Sequence, residues 1–158
     1  MKYLKKDLYI SISEKNEENY NFIIKVFRDI PLTFKDYLER EHIYVCEARI
    51  NNKLVGVNIF NIRPKNFWSN EPNLFSIPTE NSILYSNYTV VDNNYRGMGI
   101  NTKIKKYLIK YAKNKGVGAI AAGVKPDNIA SYKSLLNLGF IKIPKLNSSG
   151  NNTYYLVL

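Results

Sequence analysis

The pattern of apolar and polar positions predicts strands and helices that follow one another along the chain. A first strand is predicted where apolar residues alternate with polar ones, at Leu8, Ile10 and Ile12. A first helix, capped by Asn16, is predicted by apolar residues at helical spacing, namely Tyr20, Ile23, Ile24 and Phe27. Thr33 together with Asp36 indicates the start of a second, short helix.

The middle of the chain predicts an antiparallel hairpin. Residues 43–50 and 53–62 are rich in Ile, Val and Tyr, and the turn residues Asn51 and Asn52 join them. The next strand, 83–91, leads into a helix that ends near Gly116 and carries an apolar stripe of Ile104, Tyr107, Leu108, Tyr111 and Ala112. The last predicted elements are a strand at 119–124, a helix at 128–138 and strands at 140–144 and 153–158.

The junction between strand 83–91 and its helix predicts a site for a diphosphate. The connecting residues are Arg96-Gly97-Met98-Gly99. Backbone N–H groups in the first turn of a helix have no intrahelical partner, and glycines without Cβ let a phosphate approach them closely. Arg96 adds a positive charge beside the turn.

Two known phosphate-binding motifs are excluded at this junction. The dinucleotide fingerprint needs a third glycine where this chain has Thr102, and a carboxylate about 20 residues later, where it has the apolar run 119–122. A Walker A loop needs Gly-Lys-Ser/Thr, but Gly99 is followed by Ile100 and Asn101.

A second segment, Asn128 to Phe140, completes a recognisable pair of motifs. Together the two segments resemble the GNAT superfamily of acetyl-CoA-dependent N-acetyltransferases, over residues 83–143. The family's Arg/Gln-x-x-Gly-x-Gly/Ala turn is matched by Arg96 and Gly99, although Asn101 stands where a small residue is usual. Its later helix is matched by Asn128, Ser131 and Gly139-Phe140, whereas Leu135 occupies the position of the family's tyrosine.

The resemblance implies a fold and a cosubstrate. The fold is α/β (α+β), with a mixed, mostly antiparallel central sheet flanked by helices, in one N-acetyltransferase domain over residues 1–158. Acetyl-CoA is the implied acyl donor, without a metal ion. The residues implied to bind it are Val90, Val91, Arg96, Gly97, Met98, Gly99, Ile100, Asn101, Thr102, Asn128 and Ser131. Asn128 after Pro126-Asp127 also fits a helix N-cap and nothing more.

The resemblance implies direct transfer of the acetyl group to a primary amine, which we expect to belong to a small molecule. Main-chain groups around Val90 and Val91 would hold the acetyl carbonyl. Because Leu135 cannot donate a proton, Tyr132, one turn earlier on the helix, is the candidate general acid. The general base stays open among Asp92, Glu71, Glu80 and an ordered water. An alternative function is a CoA-binding or sensor module with impaired chemistry.

The connection between the hairpin and strand 83–91 is a predicted loop of about 20 residues, 63–82, longer than most loops in compact domains. It contains the aromatic residues Phe67, Trp68 and Phe75. One interpretation is a flap that packs these aromatics against itself or against a second copy in a homodimer. The other is a wall of the acceptor site, with Glu71 or Glu80 facing a cationic amine.

Composition and charge limit where the protein is expected to act and what it is expected to bind. With 158 residues, 45% of them hydrophobic, the chain can bury a substantial core, and no apolar run approaches a membrane span, so we expect a cytoplasmic protein. Cys46 is the only cysteine and His42 the only histidine, which excludes an internal disulfide. The net charge of +10 includes six lysines on the helix after the turn. One interpretation is that they form a solvated helix face, and the other is that their positive charge attracts an anionic cosubstrate. Nucleic acid is disfavoured because no recognition motif is present.

Overall fold

The computed structural model describes residues 7–26 and 32–158, and its elements follow the predicted order. The strands are β1 (Leu8–Ser13), β2 (Ile43–Ile50), β3 (Lys53–Arg63), β4 (Ile83–Val91), β5 (Ala119–Val124), β6 (Ile141–Lys142) and β7 (Asn152–Val157). The α-helices are α1 (Glu17–Val26), α2 (Phe34–Glu39), α3 (Pro72–Phe75), α4 (Ile100–Asn114) and α5 (Ile129–Asn137). Phe27, predicted for the first helix, lies outside the described residues.

The strands form a seven-stranded sheet in the order β1-β2-β3-β4-β5-β7-β6. Most neighbours are antiparallel, as β1 and β2 or β5 and β7 are. The pair β4 and β5 is parallel, with a register from Ile83 opposite Ala119 to Ser86 opposite Ala122. Asn51 and Asn52 both have positive φ, 48° and 67°, as a two-residue hairpin turn requires. The predicted fold class is confirmed.

Two segments differ from the prediction. Strand β6 has only two residues, because Phe140 N–H is used to cap the preceding helix and Pro144 has no N–H to donate. The 63–82 connection is not a plain loop, since it contains a 3-10 helix, Lys65–Trp68, and α3. Trp68 is buried there, whereas Phe67 and Phe75 are about half exposed, at 51% and 47%.

The chain divides into two compact units, each with its own core. The first comprises the described residues of Met1–Phe60 together with Tyr88–Ile104, and the second comprises Asn61–Asn87 and Lys105–Leu158. A core cluster of the first unit contains Ile23, Tyr37, Val45, Leu54, Val57 and Ile59. A core cluster of the second contains Trp68, Leu74, Ile77, Ile83, Ala119, Ala121 and Ile143. That the chain is a single domain stays a prediction.

A buried polar network links α1, α2 and β2 in the first unit. Asn19 is fully buried, and its Oδ1 accepts hydrogen bonds from Asn16 N–H at 3.0 Å and from Tyr37 Oη at 2.6 Å. Its Nδ2 donates to Glu47 Oε2 at 3.1 Å, and Glu47 is ion-paired with Arg49 at 3.1 Å. Burial and the Glu47 carboxylate raise the pKa of Tyr37 above its ordinary value. The phenol therefore stays protonated and remains a donor.

Helix ends follow the sequence signals. Asn16 Oδ1 accepts from Asn19 N–H at 2.9 Å and caps α1, and Thr33 Oγ1 accepts from Asp36 N–H at 3.1 Å and caps α2. Helix α4 ends in a Schellman motif at Gly116, where Val117 N–H donates to Ala112 C=O at 3.0 Å. Helix α5 ends the same way, because Phe140 N–H donates to Leu135 C=O at 3.0 Å.

The Tyr37 hydroxyl makes a measurable contribution to stability. We expect Tyr37→Phe to lower the free energy of unfolding by about 1 kcal/mol, the net value of one neutral buried hydrogen bond. Urea unfolding measures the change. Tyr9→Phe is the matched control, since Tyr9 is 68% exposed and should lose almost nothing. Equal changes in the two variants would contradict a role for the network.

Candidate functional site

The turn between β4 and α4 combines an exposed backbone with an open space above it. After Asp92 and the 3-10 helix Asn93–Tyr95, the chain passes through Gly97 and Gly99, whose φ angles are 78° and 77°. This is the left-handed region, which glycine adopts at little cost. A Cβ on either glycine would meet no atom within 4 Å. The first turn of α4 thus begins beside free space in which an anion fits.

Packing within the first unit holds the start of α4 in place. Ile100, the first residue of the helix, is 2% exposed, and Ile104 is fully buried. Both lie against β3 at Gly56, where a Cβ would come within 3.2 Å of Ile100 Cγ2 and 3.4 Å of Ile104 Cδ1. The absence of a side chain at Gly56 therefore lets the helix approach the strand closely. A rigid helix start keeps its free N–H groups aimed at one place.

Two polar residues flank this turn. Arg96 is exposed, and among the described residues its Nε makes one long hydrogen bond, 3.4 Å, to Val91 C=O, so its guanidinium is available to an anion. Asn101 lies in the first turn of α4, and its Oδ1 is buried without a hydrogen-bond partner in the described part of the chain. A buried acceptor without a partner is costly, so Asn101 stays a predicted binding residue whose amide oxygen is free to accept a hydrogen bond.

The lysines of α4 do not all behave as predicted. Lys106, Lys110 and Lys113 on α4, and Lys115 just after it, are exposed, in agreement with a solvated face. Lys105 is 6% exposed, and its Nζ donates to Ser86 Oγ on β4 at 2.8 Å. The interpretation of Lys105 as part of a solvated face is therefore wrong. The reason is that the side chain, one position after the buried Ile104, reaches the Ser86 hydroxyl within the second unit, to which both residues belong.

In the second unit, α5 carries the other predicted site residues. Asn128 is the N-cap of this helix, since its Oδ1 accepts from Ser131 N–H at 3.3 Å. Tyr132 is half-buried, and Leu135 is 2% exposed in the core. Burial, together with nearby Tyr132, raises the pKa of Tyr154 on β7. This second tyrosine was not predicted, because nothing in the sequence of a terminal strand signals that one of its phenols approaches a helix.

The candidate bases differ in their surroundings. Asp92 is half-buried and its Oδ1 accepts from Asn94 N–H at 2.8 Å, whereas Glu71 and Glu80 are both exposed. Cys46 is fully buried on β2, and His42 is exposed. Within residues 7–26 and 32–158, no three His, Cys, Asp or Glu side chains come close enough to hold a metal ion. No helix of that same part is long and apolar enough to cross a membrane.

The comparisons with known proteins agree with this geometry. The model of the acetyltransferase (GNAT) family matches residues 7–140. The chain therefore belongs to the GNAT family, and it is an acetyl-CoA-dependent N-acetyltransferase by class. No curated protein sequence matches it.

Solved structures share the fold at low sequence identity. An N-acetyltransferase from Staphylococcus aureus Mu50 is 21% identical with a TM-score of 0.71, covering 96% of this chain and 98% of that one. Arabidopsis thaliana NAA60 in complex with acetyl-CoA is 18% identical with a TM-score of 0.68, covering 96% and 97%. The ribosomal-protein-S18-alanine N-acetyltransferase from Escherichia coli is 16% identical with a TM-score of 0.66, covering 96% and 92%.

The geometry of the turn makes Gly99 the sharpest test of cosubstrate binding. We expect Gly99→Asp to weaken CoA binding by at least about 100-fold, because a carboxylate would occupy the space of the diphosphate and repel it. Isothermal titration with CoA measures the affinity. Gly150→Asp is the matched control: its φ is 78° and a Cβ there also meets no atom within 4 Å. It introduces the same strain and charge, and an equal loss of affinity there would refute the site.

Proposed function

We propose that this protein transfers the acetyl group of acetyl-CoA directly to the primary amine of a small molecule. The observation that carries the proposal is the pair of left-handed glycines, Gly97 and Gly99, with open space beside the first turn of α4. This arrangement suits a diphosphate held by backbone N–H groups, with Arg96 as a nearby positive charge. The other residues predicted to bind acetyl-CoA, among them Val90, Val91 and Ser131, are part of this proposal.

Each proposed role answers one requirement of acyl transfer. Bound acetyl-CoA supplies an activated thioester carbonyl. A backbone N–H at Val90 or Val91 would donate a hydrogen bond to the carbonyl oxygen as negative charge develops there. The Tyr132 hydroxyl would return a proton to the departing sulfur, since a phenol and a thiol have ordinary pKa values of about 10 and 8.5.

Free thiol release tests the proposal. The purified protein is incubated with acetyl-CoA and a panel of primary amines, and the CoA thiol is followed with a chromogenic disulfide. Amine-dependent release with an N-acetylated product supports the proposal. CoA binding without any transfer across the panel, including peptides with a free α-amine, would instead support the alternative, an impaired CoA-binding module. Transfer to peptides alone would correct the acceptor class.

Direct transfer predicts that the single thiol is dispensable. Cys46 is fully buried on β2, so it cannot reach a thioester without local unfolding. We expect Cys46→Ala to keep kcat within about threefold of the parent. Steady-state thiol release measures this, and the variant also removes the only protein thiol from the assay. A loss above about 100-fold in a folded variant, roughly 2.7 kcal/mol of barrier, would contradict direct transfer.

Tyr132 and Tyr154 form a matched pair for locating the proton donor. If the Tyr132 phenol protonates the leaving sulfur, Tyr132→Phe should lower kcat by about 100-fold and leave CoA affinity nearly unchanged. Tyr154 is only 3% exposed, so Tyr154→Phe should mainly change stability. Saturating kinetics and thermal unfolding of both variants separate the two effects. A Tyr132→Phe enzyme within about threefold of the parent would rule out this role.

A further inference from the structure

We infer that the acceptor is a small zwitterion, a primary amine that also carries a carboxylate, bound by Arg63 and Asn61. The inference rests on the proposed function and adds the chemical class of its substrate. It is drawn from a group of contacting side chains in the second unit, named here the β3–β4 cluster: Asn61, Arg63, Phe67, Trp68, Tyr85 and Asn87.

The strand side of the β3–β4 cluster is polar. Asn61 and Arg63 lie two residues apart on β3, and Tyr85 and Asn87 lie two residues apart on β4. Residues spaced by two project from the same face of a strand. Asn61 Nδ2 donates to Asn87 Oδ1 at 2.9 Å, so the two pairs share one face of the sheet.

The other side of the cluster is aromatic. The Arg63 guanidinium lies 4.2 Å from the centre of the Phe67 ring. Phe67 meets Trp68 edge-on, with ring centres 4.9 Å apart, and Trp68 meets Tyr85 at 5.7 Å. A chain of contacts therefore runs from Arg63 on β3 through Phe67 and Trp68 to Tyr85 on β4. Rings held on two sides offer rigid apolar walls to a ligand.

Gly123 on β5 fixes the position of the Tyr85 phenol. A Cβ at Gly123 would lie 2.8 Å from Tyr85 Oη and 3.9 Å from Asn147 Nδ2. Any other residue at this position would displace the phenol. The absence of a side chain at Gly123 therefore leaves the space that the Tyr85 phenol occupies.

Three polar groups of the β3–β4 cluster lack either an ion-pair partner or a hydrogen-bond partner among the described residues. Arg63 is half-buried, and within the described residues no carboxylate lies at ion-pair distance from it. Asn61 Oδ1 and Trp68 Nε1 are buried and have no hydrogen-bond partner in that part of the chain. Buried polar groups without partners are costly. The Arg63 guanidinium and Trp68 Nε1 are donors that need an acceptor, and Asn61 Oδ1 is an acceptor that needs an N–H.

A zwitterion satisfies this set better than a simple amine. Its carboxylate pairs with the guanidinium of Arg63, and its amine donates to Asn61 Oδ1. The Cα atoms of residues two apart on a strand are separated by about 7 Å, which suits an amine and a carboxylate separated by a few bonds. A ligand with positive charge alone would place that charge beside Arg63 and gain no ion pair.

Trp68 reports on this cluster directly, because it is the only tryptophan of the chain. We would titrate the CoA-bound protein with L-phenylalanine, 2-phenylethylamine and 3-phenylpropanoate, and follow tryptophan emission. The three compounds carry both charged groups, the amine alone and the carboxylate alone. L-leucine, 3-methylbutylamine and 4-methylpentanoate form a second set. We expect each zwitterion to bind at least about tenfold more tightly than either of its halves.

Arg63→Gln tests the assignment of the carboxylate. The variant should lose the advantage of the zwitterion over the amine, while its affinity for the amine stays within about twofold. Arg40→Gln is the matched control, because Arg40 is exposed in the first unit and should behave as the parent. Thermal unfolding of both variants checks folding. Equal weakening of all ligands by Arg63→Gln would overturn the inference.

Other results of the binding experiments also test the zwitterion inference, independently of acetyl transfer. Equal affinity for amine and zwitterion, tighter binding of a peptide α-amine, or no saturable change in Trp68 emission with either set would overturn the inference. Thiol release is measured on parallel samples in which acetyl-CoA replaces CoA. Transfer to amines that Arg63→Gln does not affect would leave the proposed function standing and remove only the zwitterion. Zwitterion binding without transfer would contradict only the proposed function.

Discussion

The left-handed turn between β4 and α4 is the constraint on which the candidate site depends. A chain leaving β4 must reverse direction and begin a helix within a few residues, and Gly97 and Gly99 both have φ near 78°. Residues with a Cβ adopt this conformation at a cost of about 1 kcal/mol or more. The cost is avoided only by glycine, so the geometry that exposes the helix start is encoded locally. The same two glycines leave the space that a diphosphate needs.

Buried polar groups have hydrogen-bond partners in one part of the structure and lack them in another. In the first unit, Asn19 uses its amide to join α1 to Tyr37 of α2 and Glu47 of β2. Each of these groups would be costly to bury without the others. In the second unit, Asn61 and Trp68 each have one buried polar atom with no hydrogen-bond partner among the described residues. A satisfied network is expected of structure, whereas an unsatisfied one is typical of a binding surface.

The features of the fold and of the candidate site that could be predicted are those whose sequence patterns act over a few residues. The bounds of β4 and the start of α4 were predicted because strand alternation and glycine turns act over a few residues. The burial of Lys105 was not, since it depends on Ser86, which is distant in sequence. The pairing of Asn61 with Asn87 depends on strand register, which no short motif specifies. The helices inside 63–82 are single turns, too short for any periodicity to indicate them.

The geometry of helix α5 explains why Tyr132, and not the residue at position 135, is proposed as the proton donor. Its end is fixed by Gly139 and by the bond from Phe140 N–H to Leu135 C=O, which places Leu135 one turn before the end. Its side chain is 2% exposed and belongs to the core. A phenol at that position would be buried in the core, as the Leu135 side chain is. Moving three residues back changes the angle around the helix by about 60°. At that position Tyr132 is half-buried, so a phenol there keeps the access that a core residue lacks.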